Sequence, residues 1–111
     1  MEKYITNLLK EENYDLICWI TMNKKVNRDK ECVYYNGSTG ALDPEFKYIA
    51  IAEIADERID DDFQIWYFDK DKNFITEDLF NDIYGALDHG ARVFDVYKED
   101  WTWVIYKEEW I

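Results

Sequence analysis

Two stretches decide the fold: Tyr48-Ile49-Ala50-Ile51-Ala52-Glu53-Ile54-Ala55 and Phe63-Gln64-Ile65-Trp66-Tyr67-Phe68. The second has the length and the aromatic, β-branched content of a strand. It needs a neighbour to take its backbone hydrogen bonds. The first is ambiguous by itself. Asp43-Pro44-Glu45, just upstream, is a good helix start, with a capping residue, a proline at the first helical position and an acid in the first turn. Ala and Glu would continue that helix, whereas Tyr48 and three isoleucines favour a strand. The demand of residues 63–68 for a partner decides for the strand.

Working outward, Asp15-Leu16-Ile17-Cys18-Trp19-Ile20-Thr21-Met22 reads as a strand, and Cys32-Val33-Tyr34-Tyr35 as a shorter one closed by the turn signal Asn36-Gly37. The polar segment 23–31 between them is a turn or hairpin tip. Residues 2–10 carry Tyr4, Ile5, Leu8 and Leu9 on one helical face. The main helix is expected over 76–89. Thr76 serves as its cap, and Ile75 and Phe80 as a hydrophobic staple. Leu79, Phe80, Ile83, Tyr84 and Leu87 form its apolar stripe, and Gly90 its left-handed stop. Gly85 inside it costs about 1 kcal/mol relative to Ala, a cost that close packing on a sheet would explain. Residues 92–97 and 101–106 are expected as a final hairpin turning at Lys98-Glu99-Asp100, with Trp101, Trp103 and Tyr97 on one face. The expected architecture is α+β: an antiparallel sheet of about five or six strands, with the main helix (76–89) and a short N-terminal helix packed on one face. Residues 1–111 form a single compact domain, without linker, repeat or low-complexity segment.

Composition narrows the class of function. The 111 residues carry 25 acids and 13 bases, a formal net charge of -12, yet 48% are apolar and 18% aromatic. A chain of this size buries roughly 60–70% of its unfolded surface, and such aromatic content argues against disorder. No apolar run approaches a membrane helix. The stretch Met1-Glu2-Lys3-Tyr4-Ile5-Thr6-Asn7 lacks the features of a signal peptide. Direct binding of nucleic-acid phosphates is disfavoured, since it needs a basic footprint and the net charge is -12. Lys outnumbers Arg 10 to 3 and Pro occurs once, a composition common in AT-rich bacterial genomes and their phages. The expected compartment is the cytoplasm of a bacterial host cell.

The usual reactive constellations are missing. Cys18 sits in an apolar strand and reads as a core residue. A disulfide to Cys32 would fit across a hairpin, but a reducing compartment favours two thiols. His89, the single histidine, falls between Asp88 and Gly90 and reads as a helix-end residue near the last carbonyls. Ser38 has no nucleophile elbow around it. Asp69-Lys70-Asp71-Lys72-Asn73 matches the first oxygen positions of a calcium loop. Phe74 and Phe80, however, stand where glycine and a bidentate glutamate belong, so the stretch reads as a polar turn. No zinc pattern or phosphate-binding glycine loop is present. Neither catalysis, a metal nor a cofactor is expected.

The charge itself remains. Residues 1–40 hold 6 acids and 6 bases, whereas residues 41–111 hold 19 acids and 7 bases. The densest cluster is Glu53, Asp56, Glu57, Asp60, Asp61 and Asp62, with Asp69 and Asp71 expected beside it. Glu99, Asp100, Glu108 and Glu109, with Trp110, form a secondary set. A charge of -12 exceeds what solubility asks of a small domain, a magnitude of roughly 2–8, and crowded like charges destabilise a fold. Acids two apart on a strand lie roughly 6.7 Å from one another, comparable to charge spacing along a nucleic-acid backbone. They suit a cleft lined with Lys and Arg. In charge, though in no quotable motif, the chain is similar in kind to the small acidic DNA mimics that phages and mobile elements direct against restriction, repair and CRISPR enzymes. The expected function is therefore a non-catalytic inhibitor, acting as monomer or homodimer on the basic surface of a bacterial defence enzyme. An immunity protein against a basic toxin, and a regulatory or structural protein of a phage or mobile element, are the alternatives.

Overall fold

Tyr48-Ile49-Ala50-Ile51-Ala52 alternates large and small apolar residues with a period of two, the pattern of a strand covered on both faces. The computed structural model describes residues 2–22, 46–56 and 62–110, and in it this run lies in strand β2 (Tyr48–Ile54), paired with β3 (Phe63–Phe68). The helix-versus-strand ambiguity thus resolves as expected. With β1 (Tyr14–Thr21), β4 (Phe74–Phe80) and β5 (Thr102–Trp103), they make one antiparallel sheet in the order β4-β3-β2-β1-β5. Helices α1 (Glu2–Glu11) and α2 (Ile83–Phe94) complete an α+β arrangement. The expected strand 32–35, the turn at Asn36-Gly37 and the helix start at 43–45 lie outside the described residues.

The two helices take opposite faces, a correction to the expectation that both pack on one. Ile5 and Leu9 of α1 pack with Leu16, Ala50, Ala52, Trp66 and Phe68. Ile83, Ala86 and Phe94 of α2 pack with Ile17, Ile49, Ile51, Ile65 and Tyr67 on the other side. Alternation requires this: all six side chains of β3 are buried, so both faces must be covered. Ala50 and Ala52 of β2 face α1, and Ile49 and Ile51 face α2.

The main helix starts later than the sequence suggests. Residues 74–80 form β4, laddered to β3 from Phe63↔Phe80 to Phe68↔Phe74. Strand pairing along a fully buried neighbour outweighs the helical spacing of Leu79, Phe80 and Ile83. The true N-cap is Asp82, whose Oδ1 accepts the N–H of Gly85 at 2.7 Å. The helix ends at Asp95 (φ 57), whose N–H returns to the carbonyl of Gly90. Asp is among the few residues that tolerate this left-handed geometry. Residues 92–94 are accordingly the last turn of α2 rather than a strand. Lys98–Asp100 is a 3-10 turn, and of the expected strand 101–106 only Thr102–Trp103 forms. The chain thus leaves β4 at one edge, crosses the face as α2 and returns at the other edge as β5.

Gly90 is buried mid-helix. A Cβ there would lie 3.0 Å from Cζ2 of the buried Trp101 ring, whereas at Gly85 the nearest atoms are at 3.4 Å. Close packing therefore acts at Gly90, not at Gly85 as expected. Gly85→Ala should gain up to about 1 kcal/mol from helix propensity. Gly90→Ala should lose about 1 kcal/mol or more, because overpacking outweighs the same gain. Urea unfolding of the two variants checks the opposite signs, and equal stabilisation of both would show that the indole yields freely.

Candidate functional site

Antiparallel pairing brings the start of β1, the end of β2 and the start of β3 to one end of the sheet. Asp15 stands directly across from Glu53, and Glu53 across from Phe63. Opposed residues in an antiparallel pair have Cα atoms about 4.5–5.5 Å apart, and like charges in that position destabilise the pair. Asp56 and Asp62 flank them, and all four carboxylates are half-buried. The Ile54 N–H donates to the Asp62 carbonyl at 3.0 Å, and the Ala55 N–H to the Asn13 carbonyl at 2.9 Å. These bonds tie the α1–β1 turn, with Glu11 and Glu12, to the same end. Among the described residues, no Lys or Arg forms an ion pair with Asp15, Glu53 or Asp62. Arg92 pairs instead with Asp88 at 2.7 Å, and His89 lies 3.6 Å from Asp78.

A chain of hydrogen bonds fixes one of these acids. The Tyr14 hydroxyl donates to Asp62 Oδ2 at 3.1 Å and accepts from Gln64 Nε2 at 2.6 Å. Gln64 Oε1 in turn accepts from Trp66 Nε1 at 2.7 Å. Burial, followed by the Asp62 and Glu77 charges, pushes the Tyr14 phenol up to about 12. Tyr14 therefore remains a neutral donor and orients the Asp62 carboxylate.

The acids that the sequence grouped together do not all meet. Asp69 and Asp71 lie beyond the far end of β3, about 23 Å from Asp62 at about 3.3 Å per residue. Asp69 Oδ1 accepts the N–H groups of Asp71 (2.8 Å) and Asn73 (2.9 Å), so it shapes the polar turn expected there, which also carries Lys70 and Lys72. Glu57, Asp60 and Asp61 lie outside the described residues. In the secondary set, Asp100 Oδ2 accepts the Tyr97 N–H at 2.9 Å, and the Glu109 carbonyl accepts the Tyr84 hydroxyl at 2.5 Å. Glu99 and Glu108 are exposed, but the Trp110 ring is buried against Trp103, 6.2 Å between centroids. Trp101 is buried, Trp103 half-buried and Tyr97 exposed, so they do not share one hairpin face. Asp15, Glu11 and Glu12 do not stand out in the sequence because they belong to the segment of zero net charge. Their contribution becomes visible only through strand register.

His89 lies within α2 rather than at its end. Its Nε2 is 3.5 Å from the Tyr67 hydroxyl and 3.6 Å from Asp78 Oδ2, and the buried Tyr67 donates to that same carboxylate oxygen at 2.5 Å. Burial lowers the imidazole pKa below 6.5, with Arg92 adding to the effect and Asp78 and Asp88 opposing it. Cys18 is a buried free thiol, as expected, and burial raises its pKa well above the usual range. Among the described residues no group of three or more His, Cys, Asp or Glu is placed to hold a metal ion, and no helix is long and apolar enough to cross a membrane. No family model matches the chain, and neither a curated protein nor a solved structure matches it.

Tyr14→Phe strands the Gln64 amide, which is only 8% exposed. The variant should lose about 1–2 kcal/mol in urea unfolding, and an unchanged midpoint would place Gln64 in contact with solvent. For His89 the folded state favours the neutral ring. Its stabilising share is complete above pH 6.5 and falls as pH drops through 6.5 toward the lowered folded value. Between pH 7.5 and pH 5, His89→Gln should therefore lose less stability than the parent. Thermal melts of both proteins at the two pH values check this, and parallel losses would refute it.

Proposed function

We propose that this protein is a non-catalytic binding module whose acidic sheet end receives a cationic surface of another protein. We further propose that the partner is a basic nucleic-acid-binding enzyme of a bacterial defence system, which the module blocks by occupying the phosphate site. The observation that carries this reading is the opposition of Asp15 and Glu53 across β1 and β2. Asp62 lies at the same end of the sheet with its carboxylate on the α1 face, bonded to Tyr14, and none of the three half-buried acids pairs with a Lys or Arg among the described residues. A fold that holds carboxylates together in this way sacrifices stability, and a cationic partner would offset the loss. Three segments, joined by backbone hydrogen bonds and by the Tyr14–Asp62 bond, make the array rigid, so little ordering cost attends binding. Complementary charge would also speed encounter in a salt-dependent way.

This reading makes a paired prediction. Glu53→Gln should stabilise the isolated protein by about 0.2–1 kcal/mol, since it removes a like-charge pair. Asp15→Asn, Glu53→Gln and Asp62→Asn together should weaken inhibition of DNA binding by a susceptible enzyme about tenfold or more at low salt, about 1.4 kcal/mol. Asp69→Asn with Asp71→Asn, at the other end of the sheet, should have little effect. The measurement is competition with labelled DNA across a panel of purified restriction and CRISPR nucleases, at two salt concentrations. Unchanged DNA binding across the panel would reject the inhibitor reading, and equal loss from both sets of substitutions would reject the assigned surface.

A further inference from the structure

The 3-10 turn Lys98–Asp100 and the segment from β5 to Tyr106 build an open cleft of about 400 Å³ lined by Lys98, Glu99, Trp103 and Tyr106. Its aromatic wall is held in place. Trp103 meets Tyr106 edge to face at 5.1 Å and 77°, and it packs from behind on the buried Trp110. Its indole N–H donates to the Lys98 carbonyl at 2.9 Å. Tyr106 is 44% exposed, and Tyr97 and Val104 are exposed in the same segment. The Lys98 ammonium sits 5.5 Å from the centroid of the Tyr106 ring, so within this protein that ring already receives a cation. The Glu99 carboxylate is exposed beside it.

We propose that this cleft receives an arginine side chain of a basic protein, its guanidinium taken up against the Trp103 and Tyr106 rings with Glu99 as counter-charge. Cation–π attraction supplies the affinity, and Lys98 is the internal stand-in that the incoming group displaces. Arginine is favoured over lysine because its planar head stacks on aromatic rings and is more weakly hydrated. An anionic aromatic ligand is disfavoured by the net charge of -12. The proposal rests on the reading that the partner is cationic, but it concerns different side chains.

The test uses the full-length protein with a ¹⁵N label and follows its indole N–H resonances. The probes are acetyl-Gly-Arg-Gly-amide and the same peptide with neutral citrulline in place of arginine. The arginine peptide should shift the Trp103 resonance and the citrulline peptide should not. Lys98→Ala should strengthen binding, and Glu99→Gln and Tyr106→Leu should weaken it, each by about threefold or more. An unmoved Trp66 resonance in each variant confirms that the fold is intact. Equal responses to the two peptides, no response to either, or weaker binding in Lys98→Ala would overturn the proposal. Loss of the cleft response with persisting inhibition of a nuclease would remove this proposal alone, and the converse would remove only the acidic-end reading.

Discussion

All six side chains of β3 are buried, and the rest of the molecule answers that constraint. A strand without a solvent face must lie inside a sheet and between two layers. The sheet therefore has β2 and β4 on either side of β3, α1 over one face and α2 over the other. Cover on both sides also dictates composition. β2 presents Ala50 and Ala52 where α1 approaches and Ile49 and Ile51 toward α2. The wider space under α2 is filled by Phe94, Trp101 and Trp110. The path of the chain follows as well, since α2 has to carry it across the sheet from β4 to the opposite edge.

The same constraint explains the polar features. Gln64 lies in the buried strand, and its amide is satisfied by Tyr14 and by the Trp66 indole. That bond draws Tyr14 onto Asp62. Tyr67, fully buried on the other face, finds its acceptor in Asp78 of β4, with His89 beside it. Both tyrosines sit where a buried strand meets the acids of the sheet. The Asp62 carboxylate at the end of the sheet is therefore positioned by the core, whereas that of Asp69 is used in holding its own turn together.

Charge is thus sorted by topology rather than by position along the chain. Reading along the sequence joins Asp62 to Asp69 and Asp71, yet a strand length separates them. It leaves out Asp15, which antiparallel register brings opposite Glu53. Trp110, an apparent surface residue near the end of the described chain, is instead part of the core that fixes Trp103.

The sequence by itself determined the α+β class, the strand character of 15–22, 48–54 and 63–68, the N-terminal helix, the polar turn at 69–73 and the core place of Cys18. In each case but 48–54 a local pattern of burial or turn chemistry suffices, and there the ambiguity with a helix is lifted by the need of 63–68 for a neighbouring strand. Only tertiary structure decided that 74–80 is a strand and that the second helix begins at Ile83. Leu79, Phe80 and Ile83 fit helical spacing equally well, and the ladder to β3 settles the competition. Tertiary structure also decided which glycine meets an aromatic ring, which face each helix covers and which acids share a surface. Those outcomes depend on register between strands distant in sequence, and a single chain read residue by residue carries no record of it.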